Sequence, residues 1–286
     1  HTDKPGLIQK VQALGGLLED EQVGSLLIEV TLTGPQLLRT AGLDEVLWID
    51  RWTPAELDMN NARIQGGGDY IEAQAGYTGA GVNAHIYEGI EATHVDFTGG
   101  ATNVRSNGAA QSHGHATAGI VFGNGTSNPI VRGMAPDAGK FYTNYSSVSG
   151  SRWQVFSDLV NIHEVSHTTA SWGGSRTFFY TSTSAESDDM VFDHDLVWTQ
   201  SQSNAGNQDS RPQAWAKNVF SIGGVRHNNN SNPNDDSWAA GGASTGPASD
   251  GRIKPTLCAY YDGIGTSDRT GSAGYTNTNW YSSFGG

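Results

Sequence analysis

Residues 112–120 read Ser112-His113-Gly114-His115-Ala116-Thr117-Ala118-Gly119-Ile120. A histidine heads a run of small residues, so a helix beginning there can pack closely against a sheet and hold the imidazole at its first turn. Taken alone, such a histidine is more often a structural or exposed residue than a catalytic one. Two further segments give it a chemical context. Upstream, Gly81-Val-Asn-Ala-His-Ile-Tyr-Glu88-Gly-Ile-Glu-Ala-Thr-His-Val-Asp-Phe97 reads as a buried strand ending in a carboxylate, which can fix an imidazole's tautomer and stabilise its cation. Downstream, Ser203-Asn-Ala-Gly-Asn207 follows another apolar strand, and its terminal asparagine can donate to an oxyanion. Glu91 and Asp96 are less well placed than Glu88 for the orienting role.

Around these segments, apolar runs at Val82–Tyr87, Gly139–Thr143, Val165–Trp172, Leu196–Ser203 and Val219–Val225 alternate with helical stretches at Ala116–Phe122 and Trp153–Ile162. Strands separated by helices predict a parallel sheet with covered faces and a ligand site at the strands' carboxyl ends. Residues 1–57 differ in charge and leucine content and read as a separate small α+β unit, with strands over Leu26–Leu32 and Val46–Ile49 and a helix from Pro35 to Thr40. Residues 58–68, with Asn60, Asn61 and three consecutive glycines, read as an exposed connector. The main domain then spans 69–286. No internal repeat is evident, and Asn228–Ser237 reads as a surface loop.

The 286 residues suffice for one medium domain and a small appendage. With 16 basic against 29 acidic residues, the formal charge of -13 opposes nucleic acid and anionic membranes as partners. No apolar run is long enough to span a bilayer, and His1–Gln9 lacks the features of a signal peptide. The single cysteine, Cys258, excludes an internal disulfide framework and a multi-cysteine metal site.

Five motifs, in order, resemble the subtilase family of serine peptidases. Gly114 and Ala118-Gly119 match the family's His-Gly-Thr-His-Val-Ala-Gly motif without a gap and put its catalytic histidine at His113. Arg132-Gly-Met-Ala-Pro136 resembles the Gly-Val-Ala-Pro turn, Ala170-Ser-Trp-Gly-Gly174 the substrate-binding strand, Asn204-Ala-Gly-Asn207 the oxyanion segment, and Gly251-Arg-Ile-Lys-Pro255 the stretch ahead of the nucleophile. The resemblance implies a three-layer α/β/α sandwich with a mostly parallel sheet, preceded by an α+β pro-domain that acts as chaperone and inhibitor and is excised near Asp58–Asn61. It implies an endopeptidase cleaving protein or peptide substrates through an acyl-enzyme, with Glu88 orienting, His113 as base and Asn207 in the oxyanion hole. Ser171, Trp172, Gly173 and Gly174 would bind the substrate backbone and wall its first specificity pocket, Trp172 suggesting an apolar preference. It also implies secretion, structural calcium with unassigned ligands, and no cofactor for the chemistry.

The chain departs from the family at instructive places. Glu88-Gly89 stands where the family has Asp-Ser-Gly or Asp-Thr-Gly, Thr256 where an aspartate follows the proline, and Tyr260-Tyr261 where Ala-Pro is usual. Trp280-Tyr-Ser-Ser-Phe-Gly-Gly286 resembles the approach to Gly-Thr-Ser-Met-Ala, which places the nucleophile in a segment after Gly286, a C-terminal fragment of the same polypeptide heading a long apolar helix. Gly265-Thr-Ser267 offers a substitute serine without such a helix. Two other readings compete: an inactive pseudopeptidase or locked precursor that acts by binding, and a zinc peptidase through His163-Glu164-x-x-His167, which requires a helix there. Asp193-His-Asp195 reads as a solvated turn or helix start rather than a metal site.

Overall fold

The computed structural model describes residues 3–21, 28–47, 49, 58–238 and 242–286. The chain divides into two compact units, residues 1–55 and 56–286. In the first, helix α1 (Lys4–Ala13) is capped by Asp3, whose carboxylate accepts the Gly6 N–H at 2.9 Å, and Lys10 pairs with Glu45. Strands β1 (Leu17–Glu21) and β2 (Ile28–Thr31) form an antiparallel pair with a bulge between Leu18 and Asp20. Helix α2 (Gly34–Ala41) follows, its first turn closed by a Thr33/Gln36 capping box. The helix expected from Pro35 is therefore present. Val46 and Leu47 form no strand, while Leu26, Leu27 and Trp48 lie outside the described residues.

The second unit opens with helices α3 (Asp58–Gln65) and α4 (Gly68–Ala75), which corrects the expectation of an exposed connector at 58–68. Asn61, Ala62 and Arg63 are buried, and Arg63 pairs with Asp69 at 2.5 Å and Glu72 at 2.6 Å and donates to the Gly133 carbonyl. Polarity misled here, because the buried cation is neutralised inside the fold. An excision point near Asp58–Asn61 would lie on a formed helix.

The elements that follow are β3 (Asn83–Ile86), β4 (Thr102–Asn103), α5 (Ser112–Phe122), β5 (Gly139–Tyr142), α6 (Arg152–Asn161), β6 (Val165–Ala170), α7 (Ser182–His194), β7 (Val197–Ser201), β8 (Phe220–Arg226), β9 (Ser237–Trp238), β10 (Leu257–Tyr260), β11 (Ile264–Ser267) and β12 (Trp280–Phe284). Among the described residues, the central sheet runs β10-β8-β7-β6-β3-β5-β4, with all these pairs parallel and β9 antiparallel on β8. β11 and β12 form a separate antiparallel hairpin.

One sheet face is closed by α6 and α7, through a core of Tyr87, Val155, Phe156, Leu159, Met190 and Trp198. On the other face, Ala118 and Phe122 of α5 cover Ala84 and Ile86 of β3. Lys140 and Tyr142 of β5 are covered there too, and the face is open over β7, β8 and β10. The strand register puts Val197 of β7, Phe220 of β8 and Leu257 of β10 on one side of the sheet, and they are 46, 42 and 58% exposed, although parallel strands ordinarily bury both faces. A cavity of about 230 Å³ runs from Thr117 and Val121 of α5 over Thr169, Thr199 and Ile222 to Phe284 and Gly286.

Candidate active site

Glu88 lies two residues beyond β3 and is fully buried, while the imidazole of His113, in the first turn of α5, is about half exposed. Glu88 Oε2 meets His113 Nδ1 at 2.6 Å, and its Oε1 accepts the Ser171 N–H at 3.2 Å. One carboxylate thus ties β3, α5 and the segment after β6 together at the carboxyl ends of the parallel strands. The hydrogen bond to Glu88 raises the His113 pKa above the ordinary histidine value, against burial. The backbone around Glu88 is closely packed. The Gln111 N–H donates to the Gly89 carbonyl at 3.0 Å, and a β-carbon at Gly114 would sit 2.6 Å from that same oxygen and 2.7 Å from Glu88 Cβ. Gly114→Ala is expected to push α5 off the strand end, lengthen the Glu88–His113 bond and destabilise the unit by about 1–3 kcal/mol; chemical denaturation and the NMR titration of His113 check this.

Glu91 and Asp96 are engaged elsewhere. Glu91 accepts from the Thr270 N–H and hydroxyl at 3.0 and 2.6 Å. Asp96 is buried and accepts from the Ser127 N–H and hydroxyl and from the Ser267 hydroxyl at 2.6–2.7 Å. Ser267, fully buried with its hydroxyl held by Asp96, has no access to a substrate. Phe284, by contrast, packs edge-on against the His113 ring at 5.6 Å, so Gly285-Gly286 emerges beside the histidine.

In the 171–174 segment, Trp172 does not offer an apolar wall. Its indole is buried, donates to the Tyr87 carbonyl at 2.5 Å and stacks on Tyr145 at 4.5 Å, so it belongs to the core under α6. Gly173 and Gly174 remain at the surface of that segment, with the Gly174 N–H held by Gln213 Oε1 at 3.1 Å. Asn207 is exposed, and its Oδ1 accepts the Asp209 N–H at 2.8 Å, an arrangement that fixes the side chain and leaves Nδ2 as a donor. The residue whose importance the sequence did not signal is Asn204. It lines the cavity with Gly286, and a β-carbon at Gly286 would lie 3.1 Å from its Nδ2. Ser203, just before it, holds a φ of 133°, a strained backbone of the kind found at binding sites.

The zinc arrangement is not formed. His163 and Glu164 lie in the turn before β6, and His167 lies on β6 with its Nε2 at 2.9 Å from the Thr199 hydroxyl, so no helix brings the two imidazoles to one face. Asp193-His194-Asp195 ends α7 rather than starting a helix: Asp193 accepts the Trp153 indole N–H, and His194 packs against that ring at 4.4 Å. Among the described residues no group of three or more His, Cys, Asp or Glu side chains is arranged to hold a metal ion, and no calcium ligand set is assigned.

Burial of four imidazoles contributes to acid sensitivity. Burial pushes His85 and His115 down to about 3 and lowers His94 and His167 as well. Unfolded histidines titrate near 6.5, so between about pH 3 and 6.5 the unfolded chain binds more protons, and stability falls as pH falls through that window. His113 acts oppositely: its contribution is full below about pH 6.5 and fades as pH rises through its raised folded value. Thermal melts from roughly pH 7 to roughly pH 4 are expected to show a net loss, the four lowered rings outweighing one half-exposed ring.

Solved structures with the same architecture share little sequence with the chain. The prenylagaramide maturation protease PagA superposes with a TM-score of 0.57 at 16% identity, over 76% of this chain and 74% of that one. A mutant of the protease domain of PatA superposes at 0.52 and 18%, over 73% and 76%. The psychrophilic subtilisin-like protease Apa1 from the Antarctic psychrotroph Pseudoalteromonas sp. AS-11 superposes at 0.50 and 15%. The chain has the subtilisin-like fold. The superposition spans 76% of this chain but 56% of Apa1. No family model and no curated protein matches the sequence. Within the subtilisin-like fold, the Glu88–His113 pair sits where a mostly parallel sheet presents its ligand-binding end.

Proposed function

We propose that the chain is a subtilisin-like serine endopeptidase acting by acyl transfer on protein or peptide substrates. The observation that carries this reading is the 2.6 Å bond between buried Glu88 and half-exposed His113 at the mouth of the open sheet face. In the proposed reaction a serine attacks the scissile carbonyl, and His113 takes its proton through Nε2 and returns it to the leaving amine. Glu88 holds Nδ1 protonated, and Asn207 Nδ2 stabilises the oxyanion. Asn204, nearer Gly286, is the other asparagine able to do so. Alanine at the true donor lowers kcat by about 10²–10³-fold, and alanine at the other does not.

The serine is proposed to follow Gly286, at the head of an apolar helix laid on Val197, Phe220 and Leu257. The support is that Phe284 brings the chain to His113, that the sheet beside it is uncovered, and that Ser267 is sequestered. Residues 1–55, compact by themselves, are proposed to be a pro-domain, and the enzyme is proposed to be exported. Among the described residues, no helix is long and apolar enough to cross a membrane.

Hydrolysis of a casein or peptide substrate by protein extending beyond Gly286 tests the reading. Activity that is lost on His113→Ala and to a fluorophosphonate, and kept in 1,10-phenanthroline, supports it. A folded, inert protein supports a pseudopeptidase instead.

A further inference from the structure

Beside the proposed substrate strand, two arginines face each other without a counter-charge. Thr177 and Ser210 form an antiparallel bridge, exchanging N–H···O bonds of 2.8 and 3.0 Å, so their neighbours Arg176 and Arg211 are directly opposite and on one side. Like charges so placed repel. Arg176 lowers the proton affinity of Arg211, second only to burial. Among the described residues neither guanidinium has a carboxylate within 4.0 Å, as is true also of Arg39 and Arg269, whereas Arg63, Arg105, Arg132, Arg152, Arg226 and Arg252 each do. This occurs in a chain with a large excess of acids. Asp209, the nearest acid in sequence, is exposed and forms no ion pair with either.

The pair is aimed at the site. Arg176 Nε donates to the Ser203 hydroxyl at 2.8 Å and Arg211 Nη1 to the Gly174 carbonyl at 2.9 Å. The stem of Arg211 runs against Gly173, where an added β-carbon would meet it at 2.7 Å. Each guanidinium therefore spends one of its five donors on the fold, at the two segments that flank the proposed first specificity pocket, and keeps the others.

We propose that the substrate residue entering between Ser171–Gly174 and Ser203–Asn207 carries a side-chain carboxylate, aspartate or glutamate, held by Arg176 and Arg211. A bidentate carboxylate would relieve the repulsion and match the guanidinium fork. The inference rests on the peptidase reading for the identity of the ligand as a substrate side chain; the anion site itself does not need it.

The experiment is calorimetric titration of the protein with acetylated tetrapeptide amides that differ only in a last residue of Asp, Asn or Leu, together with the Asn peptide as a free acid. The Asp amide is expected to bind about tenfold tighter than the Asn amide at low ionic strength, with the gap narrowing as salt is added. The double variant Arg176→Gln/Arg211→Gln should lose that preference while keeping a cooperative melt, since the repulsion it sheds offsets the two hydrogen bonds to Ser203 and Gly174 that it gives up. Arg211→Lys, which keeps charge but not the fork, should retain part of the preference.

Equal binding of Asp and Asn amides, no binding of either, or a preference that survives the double variant would overturn the proposal. So would a free-acid Asn peptide binding as tightly as the Asp amide, since the site would then capture a terminal carboxylate. Hydrolysis without acidic preference would remove this inference and leave the peptidase reading. Acid-selective binding by a protein that cleaves nothing would do the reverse.

Discussion

Glu88→Gln is expected to lower kcat/KM by roughly 10⁴-fold while leaving the fold intact. Glutamine preserves the shape and can still accept the Ser171 N–H through Oε1. Its amide nitrogen then faces His113 Nδ1, which must become an acceptor, so the ring proton moves to Nε2, where the base must be free. Because the Glu88 hydrogen bond is the largest cause raising the His113 pKa, NMR titration of the variant should also show that value fall. Glu88→Asp keeps the charge but is one methylene short of the contacts that Glu88 makes with His113 and Ser171. Its activity should lie between those of the parent and the glutamine variant. Unchanged kcat/KM in Glu88→Gln would leave the carboxylate a structural tie between β3, α5 and Ser171.

Asp96→Ala is expected to produce the largest loss of stability, about 3 kcal/mol or more, read as a lower denaturation midpoint at unchanged slope. The buried carboxylate takes the Ser127 N–H, the Ser127 hydroxyl and the Ser267 hydroxyl. Its removal strands these donors in a dry site and opens a cavity beside α5. Asp96→Asn keeps one acceptor and should cost less. A companion variant separates the two serines that sequence alone left in competition: Ser267→Ala should lower stability and leave the chemistry of His113 intact.

Much of this architecture was legible because the segments that form the sheet are apolar runs of strand length. Val82–Tyr87, Gly139–Thr143 and Val219–Val225 contain β3, β5 and most of β8. The Glu88–His113 contact followed from motif order and from a carboxylate ending a strand. The missed elements lack such periodicity. α7 buries Ser184, Ser187 and Asp188 together with Met190. Ser184 is satisfied by the Pro212 carbonyl at 2.6 Å and Asp188 by the Asn218 N–H at 2.6 Å, so no apolar stripe marks the helix. β1, Leu17–Glu21, is mostly exposed and acidic. α3 looked like a linker because its buried residues include an asparagine and an arginine, and the arginine's partners lie outside the helix. Trp172 misled for a related reason: aromatic identity suggests a contact but not its direction, which was set by Tyr87 and Tyr145.

Fluorophosphonate labelling followed by peptide mapping, on protein extending beyond Gly286, tests the central claim most directly. The account predicts one labelled serine C-terminal to Gly286, with labelling abolished by His113→Ala and strongly slowed by Glu88→Gln. A folded protein that takes no label, or that takes it on Ser267, would contradict it.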